Sequence, residues 1–171
     1  MACSSYALHG LARDCTSSIG GIKRVLVADA ADVASIALTD NEVSAITMVA
    51  SKKFYEFAFP DESGTFTSTL NKGTGGAGTY ISSELSLVFN KMATAKRVEM
   101  EALSFNELMI IVEDNNGKYW LLGDEHPVVA NGGTGTPGTA FGDANQYAPT
   151  FACAGSHWPY EVKQSIIGGL L

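Results

Sequence analysis

Residues 64–89, GTFTSTLNKGTGGAGTYISSELSLVF, decide how this chain is to be read. In the second half of the stretch Ile81, Leu85, Leu87 and Phe89 share one parity, while Ser82, Glu84 and Ser86 take the other. Successive strand side chains point to opposite faces, so this is the period-two pattern of a sheet wet on one side. The first half, 64–70, is rich in Thr and Phe, residues that suit a pleated surface. A glycine-rich loop over 71–78 joins the halves, and the whole predicts a long β-hairpin.

Outward from the hairpin, 107–113 (ELMIIVE) is apolar on both parities and predicts a central strand covered from both sides. DNNG at 114–117 turns the chain into a strand over 118–122, because Asn-Gly accepts positive φ at both turn positions. Residues 22–27, 44–49 and 53–59 read as further strands, and 28–40 fits helix or strand equally. One helix is expected over 92–104, with Asn90 as its N-cap and Arg97–Glu101 as an ion pair four residues apart. Its stripe of Ala95, Val98, Ala102 and Leu103 is expected to pack on a sheet. The stretch 131–142, with five glycines and a proline, predicts an extended loop. Strands over 147–153 and 158–163 close the chain, and Pro149 and Pro159 place both at sheet edges. The expectation is a mainly β fold: an antiparallel sandwich or barrel with one flanking helix. Residues 1–20 form an arm, 21–167 a single domain and 168–171 a tail.

Composition bounds the function. The 171 residues suffice for one domain with its own core. Acidic residues outnumber basic ones 18 to 11, a net charge of −7, which argues against tight binding of DNA or RNA through clustered cations. No apolar run approaches the length of a transmembrane helix, and residues 1–10 lack the basic head and apolar run of a secretory signal. The odd set of Cys3, Cys15 and Cys153 encodes neither a disulfide framework nor a Cys-x-x-Cys metal site. Reduced thiols in a cytoplasm are expected, with a Cys3–Cys15 bridge as the one alternative.

Candidate chemistry is sparse. Gly73, Gly75 and Gly78, and again Gly133, Gly135 and Gly138, match Gly-x-Gly-x-x-Gly. That fingerprint needs a helix N-terminus to meet a pyrophosphate, and neither copy leads into one. His9, His126 and His157 lack the paired spacing of zinc ligands, and no Gly-x-Ser-x-Gly elbow occurs. The carboxylate pairs Asp61-Glu62 and Asp124-Glu125 are adjacent and point apart on a strand, so both read as turn residues. Asp143-Ala144-Asn145 begins like a calcium loop without its later ligands. Trp120 or Trp158 could serve a sugar platform. No catalytic, cofactor or metal site is expected. A low-charge β domain with a projecting Ser/Thr-faced hairpin and terminal arms points instead to pairing between identical subunits.

The stretch 86–123 (SLVFNKMATAKRVEMEALSFNELMIIVEDNNGKYWLLG) resembles the tail-tube-type virion proteins of bacteriophages and prophages of Bacteroides-type gut bacteria. Gly21-Ile22-Lys23, SAITM at 44–48, GTFTSTL at 64–70 and GDANQYAPTF at 142–151 extend the similarity over most of the chain. The resemblance implies a non-enzymatic virion protein, made in the host cytoplasm, whose copies form stacked and commonly six-membered rings around passing DNA. Its partners would be itself and other tail proteins, with no specific DNA binding and no membrane. It implies subunit contacts at the hairpin tip (Asn71, Lys72, Gly73, Thr74, Gly75, Gly76, Ala77 and Gly78), and lumen-facing Ser82, Glu84 and Ser86. Two other uses of such a fold stay open: a neck, terminator or capsid-decorating virion protein, and a soluble carbohydrate-binding module.

Overall fold

The computed structural model describes residues 8, 10–75 and 78–171. Its elements run β1 (Ile22–Asp29), β2 (Val33–Thr39), β3 (Glu42–Met48), β4 (Tyr55–Ala58), β5 (Thr65–Lys72), β6 (Thr79–Ser86), β7 (Phe89–Asn90) and α1 (Thr94–Phe105). Then follow β8 (Leu108–Asp114), β9 (Tyr119–Leu122), β10 (Val129–Thr136), β11 (Gln146–Gly155), β12 (Glu161–Val162) and α2 (Gln164–Leu170). They build two sheets: a seven-stranded one in the order β2-β3-β12-β9-β8-β1-β4, and a five-stranded one in the order β10-β11-β6-β5 with β7 paired to β11. Every pairing is antiparallel except β12 with β3. The fold is a β-sandwich with a flanking helix and is not closed into a barrel.

Strand β8 explains the layering. Its Leu108, Ile110 and Val112 join Val25 and Val27 of β1, Leu85 of β6 and Phe151 of β11 in the core between the sheets. Its Met109 and Ile111 point the other way, into a second core with Leu26, Phe54, Leu121 and Val162. A strand covered on both sides has no polar parity to show, and ELMIIVE reads as it does for that reason. The second core is closed by α2, whose Ile167 and Leu170 are each 4% exposed. The expected loose tail at 168–171 is therefore corrected: Leu170 is buried, and its carbonyl accepts the Phe54 amide at 2.8 Å.

Other expectations change for local reasons. The stretch 28–40 resolves into a short 3-10 turn at Ala30–Asp32, capped by Asp29, followed by β2. Asp40 and Asn41, at φ 55° and 64°, make the tight turn into β3, as two-residue hairpin loops require. At DNNG only Gly117 has positive φ (77°). The Asp114 amide bonds the Lys118 carbonyl at 2.9 Å, so the loop is three residues long rather than two. Asn90 lies in β7 and does not cap the helix, which starts after Ala93 without a capping side chain. The Arg97–Glu101 ion pair is present, but of the expected packing stripe only Leu103 is buried, and Ala95, Val98 and Ala102 are exposed. The space over the inner sheet face is already filled by the larger sheet, so α1 sits at the margin beside β10 and β11.

The expected loop 131–142 is corrected as well: Val129–Thr136 is strand β10, paired with β11 from Val129↔Ala152 to Thr136↔Gln146. Its glycines allow a close approach, since a Cβ at Gly133 (φ 154°) would lie 2.9 Å from the Cα of Pro149. Pro149 and Pro159 do not mark edges. Strand β11 lies inside its sheet, where the Pro149 carbonyl accepts the Leu87 amide at 3.1 Å. A strand residue aims N and C=O to the same side, so the missing N–H of Pro149 faces the break between β6 and β7 and costs no ladder bond. Pro159 precedes the two-residue β12, which is wedged between β3 and β9.

Candidate assembly surface

The five-stranded sheet buries one face and leaves the other open. Across its open face the register aligns Thr65, Thr67 and Thr69 of β5 with Ser86, Glu84 and Ser82 of β6, and these with Thr150, Ala152 and Ala154 of β11. On β10, Gly132 continues the Thr150 row and the partly exposed Val129 the Ala152 row, while Thr134 and Thr136 share the face opposite Ala148 and Gln146. Directly opposed residues share a face, so this surface is one of small, uncharged side chains. Its one charge in these rows is the exposed Glu84, and no Lys or Arg stands among them. Ser82 and Ser86 are half-buried by their neighbours, whereas Ser83, of the opposite parity, is buried and shares a 2.7 Å hydrogen bond with Ser68.

Neither border of this sheet has a strand partner among the described residues, although α1 packs beside β10. Among the described residues nothing pairs with the outer sides of β5 and β10, each eight residues long. Isolated proteins blunt such edges with charge, proline or a cover. Strand β10 has neither charge nor proline, and β5 carries only Lys72 at its end. The antiparallel order makes β5 and β10 run in opposite senses, so the border of one copy fits the opposite border of another as a further antiparallel ladder.

The hairpin tip is shorter than expected, since Asn71 and Lys72 belong to β5 and Lys72 pairs with Thr79. Asn71 Nδ2 donates to Ser82 Oγ at 2.7 Å and to the Thr69 carbonyl at 3.1 Å, bracing the last rung. Beyond it Gly73, Thr74, Gly75 and Gly78 form the turn, with Gly75 at φ 68° and the Gly73 amide bonded to the Gly78 carbonyl at 3.1 Å. Gly76 and Ala77 lie outside the described residues, as does Cys3 of the alternative Cys3–Cys15 bridge. The segment leading to β1 is anchored at its base. Asn116 exchanges two 2.9 Å bonds with the backbone of Ile19, and Asn115 donates to the Gly20 carbonyl at 2.8 Å.

Polar clusters elsewhere hold the fold together. His157 Nε2 lies 3.1 Å from Asp124 Oδ2, and its ring stacks 4.3 Å from Tyr160. Glu125 accepts both the amide and the hydroxyl of Ser156 at 2.5 Å, which lowers its pKa below the usual carboxylate value. Cys153, with Asp124 and His157, lines a small cavity of about 20 Å³, room for roughly one water. Burial pushes its thiol pKa up, the opposite of what an activated nucleophile needs. On the larger sheet Glu113, 4% exposed, accepts from Arg24, whose guanidinium also reaches Glu56 at 2.6 Å. Trp120 is half-buried with its Nε1 on Asp114 Oδ2 at 3.2 Å, and Trp158 is exposed in the segment before β12.

The search for relatives adds nothing to this geometry: no family model, curated protein or solved structure matches the chain. The border strand β10 is what sequence reasoning missed. Its signal was the alternation of Gly and Thr over 133–136, a period of two hidden by residues usually assigned to loops.

Proposed function

We propose that this chain is a structural protein of a bacteriophage virion, whose copies join into rings, six-membered by the resemblance, that stack into the tail tube through which DNA passes. The observation that carries the reading is one sheet with two unpaired borders of opposite sense, whose one charge is Lys72 at the end of β5. Pairing β5 of one copy with β10 of the next repeats the same unlike contact around an axis, and such a contact closes into a ring when the rotation permits. Ser82, Glu84 and Ser86 then face the passage with the threonine rows. A wall with one carboxylate per copy in these rows and no cation neither attracts phosphate nor slows its transit. The hairpin end beyond Lys72 and Thr79 would stand at the ring's rim, where neighbouring rings and other tail proteins would meet it.

The test is the state of the concentrated protein by light scattering and negative-stain microscopy, for the parent and for a Thr67→Lys, Thr134→Lys double variant with a lysine on each border strand. Rings are expected from the parent, and a folded monomer from the variant. A parent that stays monomeric at high concentration, or a variant that still forms rings, refutes the reading.

A further inference from the structure

The β10–β11 connection presents an aromatic side chain to solvent on a braced support. Phe141 is fully exposed at its tip. Asp143 Oδ2 accepts the amides of Thr139 and Ala140 at 2.9 and 2.7 Å. Asn145 accepts the Lys91 amide on its carbonyl at 2.6 Å and the Met92 amide on Oδ1 at 2.7 Å. The loop is thus tied both to itself and to the segment ahead of α1, and a preorganised aromatic loses little entropy on docking.

The strand register fixes where this loop stands. Gln146, at the start of β11, pairs with Thr136 and Asn90, while Gly155, at its end, pairs with Ile81 beside the β5–β6 tip. The two hairpin tips therefore lie at opposite ends of the sheet, roughly 30 Å apart along β11. The far end holds a depression of about 490 Å³ between Tyr80 and the small residues Ala154 and Gly155. Charge differs between the ends. The Phe141 end carries Lys91 and Lys96 against the single carboxylate of Asp143, whereas Glu125 and His126 line the depression with Asp124 next to them, and Lys72 stands at the end of β5.

We infer that two copies of this chain join end to end, with Phe141 of one seated in the Tyr80–Ala154–Gly155 depression of the other and Lys91 and Lys96 turned toward Asp124 and Glu125. The two patches are unlike and lie at opposite ends, so each copy uses both at once and the contact repeats along the strand direction without closing. This extends the ring reading and rests on it: border pairing closes the ring, and the Phe141 contact joins one ring to the next.

Two measurements test it. First, p-benzoylphenylalanine in place of Phe141 is photo-activated in the concentrated full-length protein, and crosslinked peptides are identified by mass spectrometry. Crosslinks to the peptide holding Tyr80, or to residues 154–156, are expected between copies. Crosslinks elsewhere, or none between copies, overturn the contact whether or not rings form. Second, Phe141→Ala is expected to leave thermal unfolding unchanged and rings intact, while raising the concentration needed for stacking about ten- to a hundred-fold. Stacking at the parent's concentration overturns the inference and leaves the ring reading standing. Failure of the parent to form rings sinks the ring reading, and the crosslink then judges the end-to-end contact by itself.

Discussion

Leu170→Ala separates a docked C-terminal helix from a loose tail. Leu170 is 4% exposed and packs in the core that holds Leu26, Phe54 and Met109. Truncating a buried leucine costs about 2–5 kcal/mol, and the figure falls where the site can collapse. Helix α2 is only seven residues long, so partial collapse places the cost at about 2–3 kcal/mol. For a chain of this size that lowers Tm by about 4–12 °C. Deleting residues 168–171 removes the same side chain and also leaves the amide of the fully buried Phe54 without its partner carbonyl. An orphaned buried donor adds about 1–3 kcal/mol. The neighbouring Leu171, 41% exposed, is the internal control, and its alanine variant shifts stability by less than about 0.5 kcal/mol. The assay is urea unfolding followed by tryptophan fluorescence, at a concentration below any association and with the slope m compared across variants. If Leu170→Ala and the deletion both unfold within about 0.5 kcal/mol of the parent, the second core is not closed by α2, and the reasoning is refuted.

Glu113→Gln leaves Arg24 with Glu56 as its carboxylate partner; because Arg24 is about a quarter exposed, the loss is expected near 2–3 kcal/mol in the same urea assay, below that of a fully buried pair. Glu84→Lys places a cation among the small residues of the open sheet face, and salt-sensitive retention of DNA, absent in the parent, is expected by mobility shift between 50 and 200 mM salt. With its thiol pKa raised by burial, Cys153 is expected to alkylate more slowly than the exposed Cys15 at neutral pH, read by peptide mass spectrometry. The Asp143 pKa is lowered by the Ala140 and Thr139 amides, so its support of the Phe141 loop is full above the ordinary value of 3.8 and is lost as pH falls through the lowered one; amide exchange at Thr139 and Ala140 should quicken across that window and not above it.

Legibility followed side-chain contrast. The β5–β6 hairpin was plain because one parity is apolar and the other Ser and Glu, and the sheet buries one side and wets the other. Strand β8 was plain because six consecutive residues are buried. Strand β10 had no such contrast, since both of its faces carry Gly or Thr, and the glycines are demanded by Pro149, Tyr147 and Thr150 of β11 rather than by a turn. Pro149 misled because the ladder breaks beside it, a fact of tertiary pairing that the proline alone does not carry. The α1 stripe misled in the other direction: Ala95, Val98 and Ala102 have the spacing of a packed face, but the face they would cover was already taken. The bare borders, which make up the candidate site, could not be seen before β10 was known to be a strand.

The same close approach that hid β10 also leaves it bare. A Cβ at Gly135 would lie 3.0 Å from the Tyr147 ring, and one at Gly132 would lie 3.1 Å from Thr150 Oγ, so a larger residue at either position would have to push these β11 side chains aside. Those constraints do not touch Thr134, which is exposed and free to carry lysine or glutamate at little cost to the monomer, or Thr136, also exposed, whose hydroxyl accepts the Gly138 amide at 3.1 Å. Glycine in a strand weakens it by roughly 0.5–1 kcal/mol against alanine, so β10 is a costly border even before its exposed backbone groups are counted. A monomer would gain from a charge at either threonine, through protection against edge-to-edge association. Neither position has one, and the opposite border β5 shows the same omission at Thr65, Thr67 and Thr69. Packing against β11 accounts for the glycines; it does not account for the uncharged threonines on both borders, which the proposed pairing between copies would require to stay uncharged.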